Sequence, residues 1–288
     1  MQPVIEVRNL SKQYGDFALR DVSFELPEGY VMGLIGPNGA GKTTIIKLLM
    51  NLIRSDGGSI RLFGKQHEND SVAIKSRIGF VYDNPNYYDH LNLKQFRNLI
   101  APFYSGWDEG MFQDLVGRLG LPLRKRMSKF SRGMTMKAAI AVALSHGADL
   151  IIMDEPTSGL DPVFRRELLD LLYSVLQNEK KSILFSTHIT SDLEKIADYL
   201  TFILDGELVF SDAKDSICER YGIVKGDPGL LTPENRSLFS GVRKTAFGFE
   251  ALTADIEAAD RQLGSGVLIE KASLEEIMVL AASEGNDV

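Results

Sequence analysis

The first part of the chain alternates apolar and polar positions in short runs that glycines interrupt. The segments "VIEVRNLSKQYG" and "VSFELPEG" alternate like strands, and "VMGLIG" is an apolar run typical of a buried strand. The next segment, "KTTIIKLLMNLI", instead places Ile45, Leu48, Leu49 and Leu52 at helical spacing. Further strands are predicted at "GSIRLFG" and "IGFVYD". The pattern therefore predicts a mixed α/β fold.

The middle of the chain is predicted to be helical, and strands return after it. Between about residues 86 and 147 the runs "LKQFRNLIAPFY", "GMFQDLVGRLG" and "GMTMKAAIAVALSHG" have helical character. Buried strands are then predicted at "DLIIMDEP" and "SILFSTH", and a helical pattern follows each one. In "TFILDGELVF" two strand runs flank Asp-Gly, which indicates a hairpin. This alternation favours an open, mostly parallel sheet.

The changes in pattern divide the chain into three parts. Residues 1–86 and 146–215 are assigned to the α/β core, and residues 87–145 to a helical subdomain inserted into it. Residues 216–288 are assigned to a small C-terminal α/β domain, where the pattern is weaker. Within that domain, Ser273 and Glu276 form the sequence signature of a capping box, which predicts the start of the last helix.

Composition narrows the class of protein. Of the 288 residues, 44% are hydrophobic and 25% are charged, which is typical of a globular protein. The net charge of −7 gives no overall basic surface for nucleic acid, and the short basic run "RKRMSK" is interpreted as a solvated loop. We expect a protein without an internal disulfide, signal sequence or membrane span, so that any membrane function requires another chain.

The sequence "GPNGAGKTT", residues 36–44, carries the strongest chemical signal. Its glycines let the backbone curl so that N–H groups point at anionic oxygens, and the helix that follows adds its positive end. Lys42 is the expected charge for the β- and γ-phosphates, Thr43 the expected hydroxyl ligand of Mg²⁺, and Thr44 a further phosphate contact. The predicted nucleotide-binding loop comprises Gly36, Pro37, Asn38, Gly39, Ala40, Gly41, Lys42, Thr43 and Thr44.

Three polar residues at predicted strand ends complete the chemistry. Asp154 ends the apolar run "LIIMD" and is the expected partner of Mg²⁺. Glu155 is the candidate base that polarises the attacking water, and His188 after "SILFST" is a candidate contact of the γ-phosphate or that water. The alternatives are a strand-end salt bridge for the two carboxylates and a hydrogen-bonded core residue for the histidine. His67, His90 and His146 are interpreted as structural histidines.

The stretch "FSRGMTMKAAIAVALSHGADLIIMDEPTSGLDP" supplies a family resemblance. Together with the glycine loop and the "STH" histidine, it resembles the nucleotide-binding subunit of ABC transporters over residues 4 to about 215. The resemblance implies a P-loop ATPase fold with an N-terminal antiparallel β part. It also implies that Tyr14 stacks on adenine, for which a core position is the alternative, that Ser131 and Gly133 form the signature loop, and that Asp161 signals between sites.

The same resemblance implies a head-to-tail dimer that uses ATP and Mg²⁺. The signature loop of one subunit would close the γ-phosphate site of the other, and hydrolysis would reopen the dimer. Ser131 can cap the helix that begins near Gly133, so that a hydroxyl and free N–H groups face an anion. Whether the dimer consists of two identical chains or two different ones stays open.

Two positions depart from the family pattern. The usual signature is Leu-Ser-Gly-Gly-Gln, whereas this chain has Arg132 and Met134 in place of a glycine and the glutamine. We expect a working loop, with Arg132 facing solvent rather than the phosphate. The second departure is Asp83, where the family has a glutamine that touches the metal or water. Asp83 is therefore a candidate metal contact, and a turn aspartate before "NP" is the alternative.

The form of the signature and the ending "ASLEEI" are similar to ABC-2 exporters, in particular the YtrB-like and peptide-export groups. This resemblance implies separate transmembrane permease subunits and a position on the cytoplasmic face of the cell membrane. The expected function is therefore to hydrolyse ATP and power transport, most simply export. The alternative is a soluble ABC-type ATPase that acts in assembly or regulation. No nucleic-acid partner is expected.

Overall fold

The computed structural model describes residues 2–83, 90–179 and 181–285. The chain divides into two compact units, Met1–Ser211 and Asp212–Val288. The division into three parts that the sequence pattern suggests stays a prediction. Its boundary at residues 86–87 and the turn expected at residues 84–85 lie outside the described residues.

The first unit contains nine strands, counted within the described residues, and the last of them extends two residues beyond the unit. They are β1 (Pro3–Tyr14), β2 (Phe17–Pro27), β3 (Val31–Ile35), β4 (Gly57–Leu62), β5 (Ile78–Val81), β6 (Leu150–Asp154), β7 (Ser182–Thr187), β8 (Tyr199–Leu204) and β9 (Glu207–Ala213).

Helices connect most of these strands. The α-helices of the first unit are α1 (Lys42–Leu49), α2 (His67–Lys75), α3 (Leu93–Ile100), α4 (Glu109–Arg118), α5 (Arg132–Leu144), α6 (Pro162–Glu179) and α7 (Thr190–Ile196). Three of these helices, α3 to α5, follow one another without an intervening strand, in the segment whose pattern predicts helices.

The strands of the first unit form two sheets. Strands β2, β1 and β4 form an antiparallel sheet, and the six strands of the other lie in the order β5-β6-β7-β3-β8-β9. In this larger sheet β3 pairs in parallel with β7 and β8, while β6 pairs in parallel with β5 and β7. The expected α/β P-loop fold, with an antiparallel part and a mostly parallel core sheet, is confirmed. The parallel order brings the carboxyl ends of β3, β6 and β7 to one edge.

Helix α1 is shorter than its apolar spacing predicts. The spacing continues to Leu52, but the helix ends at Leu49 and the side chain of Leu52 is 57% exposed. Asn51 adopts a positive φ of 50°, and the N–H of Leu52 donates to the carbonyl of Lys47 at 2.8 Å. This left-handed residue and its returning hydrogen bond terminate the helix, since they turn the chain away from the helix axis.

The buried core of the first unit joins the two sheets around α1. Its fully buried side chains include Ile5, Leu26, Met32 and Ile45, which come from β1, β2, β3 and α1. Two of the histidines have the structural role that the sequence suggests. His67 Nε2 lies 2.8 Å from the carbonyl of Leu49, and His146 Nε2 lies 3.0 Å from that of Ile78.

The second unit is a small α/β structure with its own core around Val224 and Phe249. The capping box predicted for its last helix is present, because the N–H of Ser273 donates to Glu276 Oε2 at 2.8 Å. Its antiparallel sheet has the order β11-β12-β10-β13. The elements are α8 (Lys214–Arg220), β10 (Gly222–Gly226), α9 (Pro233–Arg236), β11 (Gly241–Thr245), β12 (Gly248–Thr253), α10 (Ile256–Leu263), β13 (Val267–Lys271) and α11 (Leu274–Ala281).

Helices long and apolar enough to cross a bilayer do not occur in the described parts of the chain.

Gly36, directly after β3, packs closely against the backbone of the neighbouring strand β8, and this contact gives a test of the fold. A Cβ added to Gly36 would lie 2.2 Å from the backbone oxygen of Ile203, whereas one added to Gly39 would meet no atom of the described residues within 4 Å. We expect Gly36→Ala to lower the free energy of unfolding by about 2 kcal/mol or more, because backbone must shift. Gly39→Ala is the control and should cost about 1 kcal/mol, for its positive φ alone. Urea unfolding measures both, and equal losses would contradict the close approach to Ile203.

Candidate functional site

The glycine loop lies between β3 and α1, at the sheet edge where parallel strands end. Its glycines Gly36, Gly39 and Gly41 have φ values of 155°, 85° and 115°, which side-chain-bearing residues rarely adopt. Helix α1 begins directly after the loop, with no acidic residue in its first turn. The positive end of the helix is therefore left for an external anion.

Lys42 connects the glycine loop to the carboxylate of Glu155. Its Nζ donates to the carbonyl oxygens of Gly36 at 2.8 Å and Pro37 at 3.1 Å, and lies 3.3 Å from Glu155 Oε1. The lysine side chain is only 6% exposed. A buried ammonium group therefore lies against the loop, where it balances a carboxylate and can exchange that partner for a phosphate.

Asp154, at the end of β6, is a buried carboxylate with a hydrogen bond to only one of its two oxygens among the described residues. The hydroxyl of Thr43 donates to Asp154 Oδ2 at 3.0 Å. Oδ1 has no hydrogen-bond partner among the described residues, and the residue is fully buried. Burial raises the pKa of this carboxyl group above its usual range, and the hydrogen bond from Thr43 opposes that effect.

This pair of oxygen ligands fits a magnesium ion. Leaving a buried carboxylate oxygen without a partner is costly, and a hard cation would remove the cost. Mg²⁺ prefers such oxygens and keeps several waters, so one carboxylate and one hydroxyl suffice beside a phosphate. Within residues 2–83, 90–179 and 181–285, no cluster of three or more His, Cys, Asp or Glu residues could hold a metal by itself.

Glu155 turns back into the same crevice through a strained backbone. Its φ is 48°, and its N–H donates to the carbonyl of Ser186 at 3.0 Å. A left-handed conformation costs a non-glycine residue of the order of 1 kcal/mol, and such strain concentrates at functional sites. Because the chain turns here, Glu155 can contact Lys42 although Asp154, its neighbour, also faces the site. Glu155 Oε2 lies 2.8 Å from His188 Nδ1.

The structure brings together the residues proposed for binding phosphate, metal and water. Contacts link the loop, Lys42, Glu155 and His188, and a separate hydrogen bond links Thr43 to Asp154. The alternative of a strand-end salt bridge holds in part, since Glu155 does pair with a lysine. That lysine belongs to the phosphate loop, however, so the ion pair lies inside the candidate site. His188 is 39% exposed and is not a core residue.

Ser131 of the predicted signature loop and Asp161 of the predicted signalling loop lie at the starts of α5 and α6. Ser131 caps α5, since its hydroxyl accepts from the N–H of Met134 at 3.3 Å. Asp161 accepts from the N–H groups of Val163 and Phe164 at the start of α6. Among the described contacts, no hydrogen bond joins Ser131 or Asp161 to the cluster around Lys42. Both residues therefore lie outside the contact network of Lys42 and Glu155.

Tyr14, the expected adenine contact, lies at the end of β1. Its side chain is 63% exposed, so it is not a core residue. Exposure leaves the ring face accessible to a stacking partner.

Two charged residues that depart from the family pattern contact each other. Arg132 Nη2 donates to Asp83 Oδ1 at 2.8 Å. Arg132 is exposed to solvent, as expected, with about half of its side chain accessible, but it also makes this ion pair. The sequence analysis did not predict this pair, although Asp83 and Arg132, which both depart from the family pattern, carry opposite charges.

The fold and this site define an α/β P-loop nucleotide hydrolase. A protein-family profile described as "ABC transporter" matches residues 19–158. The bacitracin transport ATP-binding protein BcrA of Enterococcus faecalis is 33% identical over 212 residues, 73% of this chain and 69% of the relative. The lantibiotic transport ATP-binding protein SrtF of Streptococcus pyogenes is 35% identical over 216 residues, 74% of this chain and 92% of the relative. A solved ATP-binding subunit of an ABC transporter has a TM-score of 0.68 and 30% identity, and the match covers 75% of this chain and 92% of that one.

This chain belongs to the ATP-binding proteins of ABC transporters. It is an ATPase that powers transport, and ATP-binding subunits of this family dimerise and work with transmembrane partner subunits. The alternative of a soluble ATPase in assembly or regulation is not supported.

The buried charge of Asp154 predicts a pH-dependent stability difference. Because its pKa is raised in the folded chain, the charge costs stability at neutral pH, and this cost disappears as the pH falls below the unfolded-state pKa. We expect Asp154→Asn to stabilise the nucleotide-free chain at pH 7, with a gain that shrinks in acid. Urea unfolding against pH measures the difference. Asp114→Asn is the exposed control. A variant less stable than the native chain at neutral pH would contradict this expectation.

Proposed function

We propose that this chain is the ATP-hydrolysing subunit of an exporter on the cytoplasmic face of the cell membrane, and that it uses Mg²⁺. Export, as the direction of transport, is supported by the narrower resemblance to ABC-2 exporters and by relatives named for bacitracin and lantibiotic transport. The supporting observation for the chemistry is the continuous set of contacts from the phosphate loop through Lys42 to Glu155.

In the proposed mechanism Lys42 changes partners. Without nucleotide its ammonium group is shared between loop carbonyls and the Glu155 carboxylate. The γ-phosphate of ATP offers a more negative acceptor at the same place, so the lysine moves to it. Glu155 then loses its cation and becomes free to accept a hydrogen bond from the attacking water.

His188 positions Glu155 during this exchange. Its Nδ1 contacts Oε2, the oxygen that does not face the lysine. A contact on one oxygen keeps the carboxylate oriented while the other oxygen is released. The exposed part of the imidazole is then available to the γ-phosphate or the water.

Thr43 and Asp154 are the residues that would hold Mg²⁺, with Asp83 as a further contact. When bound, the ion neutralises charge that develops on the phosphates. The hydrogen bond between Thr43 and Asp154 places their two oxygens side by side, where both would serve as ligands directly or through water.

The second half of the site is proposed to come from a second subunit, either the same chain or a different one. Among the described residues, a Cβ on Gly133 would meet only the Leu160 side chain, at 4.0 Å, so packing against these residues does not require glycine here. Close approach of an external phosphate does require a small residue. Ser131 and N–H groups in the first turn of α5 would contact that phosphate.

Glu155→Gln tests the proposed base. We expect the variant to bind ATP but to lose turnover by a factor of about 100 or more, because glutamine cannot accept the proton. Trapped ATP should then hold a dimer, which light scattering after size-exclusion chromatography detects. Glu167→Gln, a change at an exposed glutamate on α6, is the control and should behave as the native chain. Undiminished hydrolysis by Glu155→Gln would remove this residue from the mechanism.

Lys42→Ala tests the phosphate contact. Loss of a charged hydrogen-bond donor should weaken ATP binding at least about tenfold. Calorimetric titration measures the affinity, and Lys47→Ala on the same helix is the matched control. If both variants bind ATP as tightly as the native chain, Lys42 has no role in phosphate binding.

A further inference from the structure

The ion pair between Arg132 and Asp83 joins two parts of the molecule that serve different nucleotides. Arg132 is the first residue of α5, next to Ser131, in the segment proposed to act on the partner's ATP. Asp83 follows β5 and is proposed to act at the chain's own ATP. Val81 of β5 pairs with Met153 of β6, so Asp83 and Asp154 leave the sheet at the same edge.

Helix propensity does not explain a cation at the start of α5. A positive side chain in the first turn is opposed by the helix dipole, an effect of about 0.3–1 kcal/mol. Asp83 supplies the negative charge that offsets this opposition.

The same guanidinium group also lies against the "SGLD" loop. A Cβ on Gly159 would lie 3.2 Å from Arg132 Nη1, so the glycine leaves room for this side chain. Arg132 therefore touches the loop that includes Asp161 as well as the segment after β5. A displacement of its guanidinium group would therefore change the contacts of both segments.

The pair is weak enough to open readily. The side chain of Arg132 is 48% exposed and that of Asp83 is 37% exposed. Ion pairs with this much solvent contact contribute about 0–1 kcal/mol. A divalent cation near Asp83 is a stronger competitor for the carboxylate than a half-exposed guanidinium, because its charge is doubled and it binds the oxygen directly.

We propose that Arg132 and the metal ion at the chain's own nucleotide site compete for the Asp83 carboxylate. Metal binding at that site then releases Arg132 from Asp83. The released guanidinium group lies beside Ser131 and Gly159, in the part of the chain proposed to contact the second subunit. Arg132 is thus a positioning residue. It couples metal binding at the chain's own nucleotide site to the segment that closes the nucleotide site of the second subunit. This inference rests on the proposed function, specifically on Asp83 as a metal contact.

A double-mutant cycle on metal affinity tests the competition. The full-length chain is kept monomeric at low concentration, with a slowly hydrolysed ATP analogue and Mn²⁺, and bound Mn²⁺ is measured by water-proton relaxation. We expect Asp83→Asn to weaken Mn²⁺ binding about tenfold, as loss of a ligand or its close support does. Arg132→Gln should tighten it about threefold, within what an exposed ion pair can contribute. Lys129→Gln, which removes an equal charge at a nearby exposed residue, should leave it unchanged.

The decisive comparison is Arg132→Gln in the Asp83→Asn background. If the arginine acts through Asp83, it has no effect there. A threefold tightening that persists in this background would reveal a general charge effect and overturn the proposal. Unchanged Mn²⁺ affinity in Asp83→Asn would overturn it and remove Asp83 from the proposed metal contacts, while the proposed roles of Thr43, Asp154 and Glu155 would stand. Failure of the native chain to bind Mn²⁺ with the analogue would instead refute the proposed function, and the inference with it.

Discussion

The rest of the site depends on the buried ammonium group of Lys42. It lies against the carbonyl oxygens of the glycine loop and reaches Glu155, so it connects the end of β3 to the end of β6. A charge buried to this extent is stable only with nearby anions or dipoles. Those groups are the ones that ATP would displace or recruit. One interaction therefore joins the two strand ends, and it is the interaction that ATP replaces in the proposed mechanism.

The parallel sheet explains why these groups meet. Strands β6, β7 and β3 are neighbours, so their carboxyl ends deliver Asp154, His188 and the glycine loop to one edge. The turn after β6 adds Glu155 through a left-handed backbone. No single segment contains the site. The sheet assembles it from positions more than a hundred residues apart, such as Thr43 and Asp154.

Sequence reasoning predicted what is encoded locally. The glycine loop, the strand before it and the capping box of α11 are contiguous patterns whose physical meaning does not depend on the rest of the chain. The end of α1 was not predicted, because the left-handed turn at Asn51 overrides an apolar spacing that continues to Leu52. The pair of Asp83 and Arg132 spans 49 positions, and only the folded chain shows that the two charges meet. The roles of the individual site residues stay predictions.

The carboxylate of Asp154, which accepts a hydrogen bond at only one of its two oxygens, has a consequence for the purified protein. Its Oδ1 atom has no hydrogen-bond partner in the described part of the chain, and this burial costs free energy that a bound cation would recover. Any ligand that binds the native state alone shifts the folding equilibrium by mass action. Preparations stripped of magnesium nucleotide should therefore lose their native structure sooner on storage than preparations that retain it.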